Sequence, residues 1–242
     1  MAARPGFIPK SILVSATLAG SVSLLLFASF LYMGSLRLVQ IGFSERALLA
    51  WDGLLSVAFF AQHSGMVRKS FRARLSQAVP VFYQGAVYTI VSGVVLVVLV
   101  TFWQSSGTSV YELQGVSYRF SRVFFFLAMA GFAWGVVALR SFDTFGLRPI
   151  RDHLHGRSPQ APQFTLRGPY RWVRHPLYFF TLILIWSCPV MTSDRLLFNI
   201  LWTVWIYAGT VLEERDLVQD LGDDYRDYQK KVPMLVPWRL PS

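Results

Sequence analysis

The sequence predicts an all-α membrane protein with about six transmembrane helices, a cytoplasmic loop and a C-terminal helical segment. Its composition is 54% hydrophobic and only 15% charged, with a mean hydropathy of +0.43. Soluble domains carry about 25% charged residues. Two uncharged apolar runs, 11–33 and 79–103, each reach the roughly 20 residues that a helix needs to cross a bilayer. Composition and run length together therefore place the chain in the membrane class.

Four further apolar runs complete the predicted set of helices. The run 47–67 contains ionisable residues, and the run 123–139 is near the lower limit of length for a span. The runs 177–192 and 196–212 are separated by only three polar residues, which predicts a tight helical hairpin. The prediction is thus six spans, or five with a hairpin that enters part of the bilayer.

The distribution of positive charge supports an even number of spans. With both termini on one side, that side receives all but five of the 23 Lys and Arg residues. This asymmetry predicts that both termini and the basic loop are cytoplasmic. The net charge of +10 then favours contact with anionic membrane lipids. Nucleic acid is not a predicted partner, because no soluble domain presents a basic face.

The first polar block, 167–178, lies where the basic loop meets the fifth predicted helix. Pro176 suits the first turn of that helix, and His175 and Tyr178 share one of its faces. The unpaired N–H groups of a helix start, together with Arg171, Arg174 and His175, suit a carboxylate or phosphate ligand. The alternative is that these side chains only anchor the helix at the headgroup level.

The second polar block follows the last apolar run. Glu213 and Glu214 stand at a position where negative charge is unfavourable if the helix ends there. The helix therefore either continues as an amphipathic extension, with a break at Gly222, or the carboxylates have a positive partner. Residues 232–237 resemble an extended segment that packs back on the protein. The alternative is a solvated amphipathic helix on the membrane surface.

Ionisable residues also occur within the second predicted helix. Asp52 and His63 are eleven residues apart, so they lie on nearly one face, roughly 16 Å apart. Ionisable groups within a span usually face an interior cavity. His63 is therefore a candidate member of the same functional site, unless it is a headgroup-level residue beside Arg68. No metal site is predicted, because the pair His153 and His155 lacks a third His or a Cys nearby.

The two blocks contain an ordered series of motifs in the C-terminal third of the chain: Gly168-Pro-Tyr-Arg-x-Val-Arg-His-Pro-x-Tyr178, Glu213-Glu214-x-x-Leu217, Gly222-x-x-Tyr225-x-x-Tyr228 and Val232-Pro-x-x-x-Pro237. This series resembles the isoprenylcysteine carboxyl methyltransferase-like superfamily of integral membrane enzymes that use S-adenosylmethionine. Two earlier motifs are similar to those of its bacterial methanethiol S-methyltransferases and their nitric-oxide-reductase-accessory relatives: Gln62-His63-Ser64-Gly-Met66 with Arg68 and Phe71, and Phe145-Gly-Leu-Arg148.

The resemblance implies an S-adenosylmethionine site and divides the chain by function. Residues 1–140 would form an N-terminal four-helix transmembrane region, and residues 141–242 a catalytic methyltransferase region. Isoprenylcysteine methyltransferases place a substrate-binding arginine four residues before the first glutamate, where this chain has Gly209. A prenylcysteine carboxylate would lose its counter-ion there. With Arg174 added from the charge argument, the implied cofactor-binding residues are Tyr170, Arg174, His175, Pro176, Leu177, Tyr178, Glu213 and Glu214.

The leading functional hypothesis is a bacterial inner-membrane methyltransferase that moves a methyl group from S-adenosylmethionine to the sulfur of a small thiol such as methanethiol. His63 is the candidate base for the thiol proton. The first rival is O- or N-methylation of a lipid or isoprenylcysteine-type substrate, which would use the same cofactor site. The second rival is a non-enzymatic membrane accessory protein with a vestigial site.

Overall fold

The computed structural model describes residues 7–139, 143–157 and 166–239. In chain order the described helices are α1 (Phe7–Met33), α2 (Glu45–Val67), α3 (Lys69–Leu75), α4 (Val81–Phe102), α5 (Gly115–Ala138), α6 (Arg148–Leu154), a 3-10 turn (Gly168–Arg171), α7 (Pro176–Trp186), α8 (Ser193–Leu221) and α9 (Asp223–Lys231). Two parts of the predicted cytoplasmic loop, residues 140–142 and 158–165, lie outside the described residues. The prediction of a mainly helical chain is confirmed.

Four helices are long and apolar enough to cross a membrane, namely α1, α4, α5 and α8. The prediction of six spans is therefore confirmed only for these four. Helix α2 has 23 residues but carries Glu45, Arg46 and Asp52, which lower its hydropathy. Helix α7 has 11 residues and covers about 16 Å, roughly half of the hydrocarbon core. The second helix of the predicted hairpin, α8, is much longer than its apolar run.

Two short strands depart from the all-α prediction. Strand β1 (Ser109–Glu112) pairs antiparallel with β2 (Val190–Thr192), which precedes α8. The side chain of Tyr111 donates a hydrogen bond to the Cys188 carbonyl oxygen at 3.1 Å, and Asp194 accepts one from the Ser106 N–H at 3.0 Å. Each strand is too short to give a periodic signal, and the pairing joins distant parts of the chain, so the sequence pattern did not predict it.

The described chain forms two compact units. Of the described residues, the first unit comprises 7–105 and 143–157, and the second comprises 106–139 and 166–239. Helix α5 thus belongs to the same compact unit as α7, α8 and α9. The predicted division at residue 140 separates a membrane region from a catalytic region, which is a different criterion from compactness. That division stays a prediction.

In the first unit, glycines let α4 approach its neighbours closely. Gly146 adopts φ +65, and a Cβ there would lie 2.3 Å from the carbonyl carbon of Gly85 in α4. The ring of Phe145 lies against Gly20 of α1, where a Cβ would meet it at 2.5 Å. Asp143 caps the start of α6 by accepting the Leu147 and Arg148 N–H groups at 3.0 and 2.7 Å. These contacts give the Phe145–Arg148 motif a role in packing.

In the second unit, a Gly-x-x-x-Gly pattern on α5 allows α7 to pack closely. A Cβ on Gly131 would lie 2.2 Å from the ring of Phe180, and one on Gly135 would lie 2.7 Å from Leu177 Cδ2. Small residues at such spacing are typical of helix contacts in membranes. The 3-10 turn also packs against α5. Helix α5 therefore supports both segments that carry the first polar block.

Candidate active site

The two polar blocks meet in the second unit, around the buried carboxylate of Glu214. Only 9% of the Glu214 side chain is exposed, although α8 carries it near its polar end. It accepts five hydrogen bonds, from Arg174 Nε (2.8 Å), Arg174 Nη2 (2.8 Å), His175 Nε2 (2.7 Å), Tyr225 Oη (2.8 Å) and Gln229 Nε2 (2.5 Å). Because a carboxylate offers about four lone-pair positions, this one has no capacity left for a ligand.

Arg174 connects this carboxylate to the end of the chain. Its Nη1 donates to the carbonyl oxygens of Gln229 (3.2 Å) and Val232. The backbone N–H groups of Arg174 and His175 donate to the carbonyls of Pro233 (2.8 Å) and Met234 (3.1 Å). We call residues 232–234 the C-terminal strap. The strap and the helix start at Pro176 are thus held together by main-chain and charged hydrogen bonds.

Helix α9 supplies the remaining hydrogen-bond donors to Glu214. A sharp turn folds this helix back on α8, and one of its faces carries two tyrosines. Gly222, at φ +61, separates α8 from α9, as the sequence predicted. Tyr225 and Tyr228 are three residues apart, and both are buried against the end of α8. Burial and, next, the hydrogen bond to Glu214 raise the pKa of Tyr225, so its hydroxyl stays a donor at neutral pH. Tyr228 donates to the Tyr170 carbonyl oxygen at 2.5 Å and fixes the 3-10 turn.

The neighbouring glutamate has a different environment. The Glu213 side chain is 45% exposed and accepts a hydrogen bond from the Tyr178 hydroxyl at 2.9 Å. His175 Nδ1 lies 3.8 Å from the same carboxylate, and the rings of His175 and Tyr178 stack with centroids 5.7 Å apart. Burial and, to a smaller extent, the charge of Glu213 raise the pKa of Tyr170. Glu213 is therefore the accessible carboxylate of the cluster.

Glu214 also fixes the orientation of His175. A carboxylate can only accept, so His175 Nε2 carries the proton of the 2.7 Å bond to Glu214. The other ring nitrogen, Nδ1, faces the Glu213 side, 3.8 Å from that carboxylate. Because His175 is 6% exposed, its ring has little freedom to turn.

The structure brings together the eight residues that the resemblance and the charge argument selected. Pro176 occupies the first turn of α7 and is buried, and Leu177 contacts Gly135 of α5. A cavity of about 440 Å³ opens beside Glu214 on the α8–α9 side. It is lined by Val211, Glu214, Arg215, Val218, Gln219, Gln229 and Met234.

His63 lies in the first unit, where it contacts residues of α2 and α4. The Tyr88 hydroxyl is 2.8 Å from His63 Nε2, and the Phe59 ring lies 5.1 Å from the imidazole. The neighbouring Gln62 donates to Ser92 Oγ at 3.1 Å. The described contacts of His63 are thus a polar pair inside a helix packing face, and its role as a base stays a prediction.

Sequence reasoning did not assign a role to Tyr225 or Gln229. Tyr225 belongs to the quoted Gly222-x-x-Tyr225 motif, and Gln229 follows it by one helical turn. The spacing of Tyr225 and Tyr228 indicated that one face of α9 is buried. The spacing did not indicate that this face contacts the Glu214 carboxylate.

The chain is similar to several named proteins. It is 38% identical over 193 residues to a methanethiol S-methyltransferase of a Pseudomonas species, which covers 78% of this chain and 73% of the relative. The chain belongs to the methanethiol S-methyltransferase family. The family member of Mycobacterium tuberculosis is 33% identical over 181 residues, covering 74% of each chain. Nurim of Rattus norvegicus is 25% identical over 185 residues, covering 71% of this chain and 68% of its own.

Two other comparisons gave no result, since no protein-family model matches the chain and no solved structure matches it significantly. Membership of the methanethiol S-methyltransferase family confirms the predicted resemblance and the prediction of a methyltransferase. Together with the four apolar helices, it also supports an integral membrane protein.

Proposed function

We propose that the protein transfers the methyl group of S-adenosylmethionine to the sulfur of a small apolar thiol such as methanethiol, at the membrane. One observation carries the proposal. An accessible carboxylate, Glu213, stands beside His175 and Tyr178 on a framework that Glu214 holds rigid. The relatives named methanethiol S-methyltransferase support the reaction type and the acceptor class.

The exposed side of the cluster fits the chemistry of S-adenosylmethionine. The Glu213 carboxylate can accept hydrogen bonds from an ammonium group or from ribose hydroxyls. Tyrosine faces attract cations, and the Tyr178 hydroxyl is hydrogen-bonded to Glu213. The cofactor supplies an electrophilic methyl group on a positively charged sulfur. The fit therefore rests on one accessible carboxylate and the aromatic groups around it.

Arg174 and Glu214 act as positioning residues in this proposal. The Arg174 guanidinium is bonded to Glu214 and to the carbonyls of Gln229 and Val232. It therefore has limited capacity to bind a cofactor carboxylate as well. We assign to this pair the task of holding the His175 ring and the start of α7. This refines the sequence-based hypothesis, in which Arg174 and Glu214 contact the cofactor.

Methyl transfer to a thiol needs alignment and loss of one proton. The acceptor sulfur forms its bond to the methyl carbon as the bond from that carbon to the donor sulfur breaks, and the thiol proton leaves to a base or to water. A free thiol has a pKa of about 8.5, so a base assists at neutral pH. We propose His63, bonded to Tyr88, for that step. Positioning by the protein supplies the rest of the barrier reduction.

Gly209 is consistent with a small acceptor without a carboxylate. It lies on α8 four residues before Glu213, and a Cβ there would meet nothing within 4 Å. Position 209 therefore leaves open space and provides no cation to pair with a substrate carboxylate. A small apolar thiol needs neither a counter-ion nor a long binding groove. Such an acceptor can also reach a membrane enzyme through the lipid phase.

We place the protein in the bacterial inner membrane, with both termini and the site on the cytoplasmic side. The support is the bias of Lys and Arg to one set of loops, which follows the positive-inside rule. S-Adenosylmethionine is a polar cytoplasmic metabolite, so a cytoplasmic site is consistent with its supply.

A labelled transfer assay tests the proposal. Purified full-length protein in detergent receives methyl-labelled S-adenosylmethionine with methanethiol, a prenylcysteine or phosphatidylethanolamine in separate reactions. The expected result is label in dimethyl sulfide alone. Label in the prenylcysteine or the lipid would show that the acceptor is wrong, and no label in any product would contradict the enzyme assignment.

A further inference from the structure

A second cavity lies in the same unit, where the 3-10 turn meets the end of α5. Its volume is about 270 Å³, and it is lined by Trp134, Gly168, Arg171 and Trp172. The two indole rings are 5.1 Å apart in an edge-to-face arrangement, and 40% and 42% of Trp134 and Trp172 are exposed. We call it the Trp134 cavity. Among the described residues, none of those that bond to Glu213 or Glu214 lines it.

The Trp134 cavity remains open because of a glycine. Gly168 adopts φ +55, and a Cβ there would lie 3.0 Å from Trp134 Nε1 and 3.2 Å from Ala138 Cβ. Any larger residue would both strain the backbone and push into the indole. The turn can therefore approach α5 only with glycine at this position, and the approach leaves space in front of the two indoles.

The position of the cavity relative to a membrane follows from α5. This helix is a candidate span that ends at Ala138, one turn after Trp134. The cavity therefore lies where the chain leaves the hydrocarbon region. Tryptophan is enriched at that boundary because its ring is apolar and its N–H is polar.

The side chains that line the cavity are complementary to a lipid that carries a phosphate group. Arg171 is an exposed cation at the edge of the cavity, and a guanidinium binds phosphate oxygens with bidentate hydrogen bonds. The indoles offer apolar faces for the glycerol and the first acyl carbons. The chain's net charge of +10 adds long-range attraction to an anionic surface. We propose that the Trp134 cavity is a specific site for the headgroup of an anionic phospholipid.

Lipid binding can be measured without any methyl transfer, so this proposal and the proposed function can fail separately. Purified full-length protein in detergent is titrated with phosphatidylglycerol or phosphatidylcholine, and bound lipids are counted by native mass spectrometry. The expected result is one tightly bound phosphatidylglycerol and weaker binding of phosphatidylcholine. Replacing Arg171 by Gln should weaken phosphatidylglycerol binding roughly tenfold or more, the scale of a lost charged hydrogen bond.

Two further variants keep the test decisive. Arg171→Lys, which keeps the charge but loses the bidentate geometry, should bind between wild type and Arg171→Gln, and it guards against loss of folding in the Gln variant. The matched control is Arg226→Gln, an exposed arginine of the same unit, which should bind phosphatidylglycerol like wild type. Equal loss in both Gln variants would show non-specific charge attraction and overturn the proposal. Equal affinity for phosphatidylcholine, or for glycerol phosphate without acyl chains, would overturn it as well.

Discussion

Replacing Glu214 by Gln should destabilise the second unit strongly, whereas the same change at Glu213 should not. The two residues are adjacent and carry the same group, but 9% of the Glu214 side chain is exposed against 45% of Glu213. A glutamine at 214 removes the counter-ion of Arg174, which is 10% exposed. It also turns an amide N–H₂ toward the donors of Arg174 Nη2 and Gln229 Nε2.

The expected cost follows from those contacts. Leaving one partner of a buried ion pair uncompensated costs about 3–5 kcal/mol. Two lost hydrogen bonds to a charged acceptor, at about 1.5–3 kcal/mol each, give a similar figure. For a chain of this size 1 kcal/mol corresponds to roughly 2–4 °C, so Tm should fall by roughly 6–20 °C. Glu213→Gln loses one exposed hydrogen bond from Tyr178 and should cost less than about 1 kcal/mol.

Thermal unfolding of both variants and wild type, in the same detergent, is the measurement. A Glu214→Gln variant that unfolds within 2 °C of wild type has lost no more than about 1 kcal/mol of stability, and this result would contradict the expected effect of burial. Equal loss of stability in the two variants would contradict it as well, because burial would then not separate their roles. Tyr225→Phe, which removes a single donor, should lie between the two.

Three other perturbations test different parts of the molecule. Gly85→Val should destabilise the first unit by about 1–3 kcal/mol, because a Cβ at that position would lie 2.9 Å from the Gly146 backbone. The control is Gly53→Ala, whose Cβ would meet nothing within 4 Å, and it should leave Tm unchanged or raised. His63→Ala should lower the rate of thiol methylation by about 10²–10⁴ while cofactor binding persists, and full activity would remove His63 from the mechanism. Gly209→Arg should fold, since space is open there, and should gain methylation of a prenylcysteine relative to wild type; an unchanged acceptor preference would show that this position does not select the substrate.

Local signals in the sequence predicted two helix boundaries correctly. Pro176 begins α7, and Gly222 separates α8 from α9. Each of these boundaries is determined by a residue whose backbone preference is strong regardless of its surroundings.

Contacts between distant segments were less accessible from sequence. The motif spacing indicated that Arg174, His175 and Glu213 belong to one site, and the structure brings them together in one unit. The motif spacing did not show that Glu214 accepts hydrogen bonds from five donors. The burial of Glu214 and the exposure of Glu213 depend on where α9 folds back against α8, which is a tertiary contact. The β1–β2 pair was missed for the same reason, since strand pairing is a tertiary contact.

The central claim, that the exposed face at Glu213 holds S-adenosylmethionine, is tested most directly by isothermal titration calorimetry of the cofactor into folded, detergent-solubilised protein. The expected result is saturable one-site binding to wild type, with at least a tenfold loss of affinity in Glu213→Gln at an unchanged Tm. A tenfold loss corresponds to about 1.4 kcal/mol, within the range of a charged hydrogen bond. Absence of binding to well-folded wild type, or wild-type affinity in Glu213→Gln, would contradict the assignment.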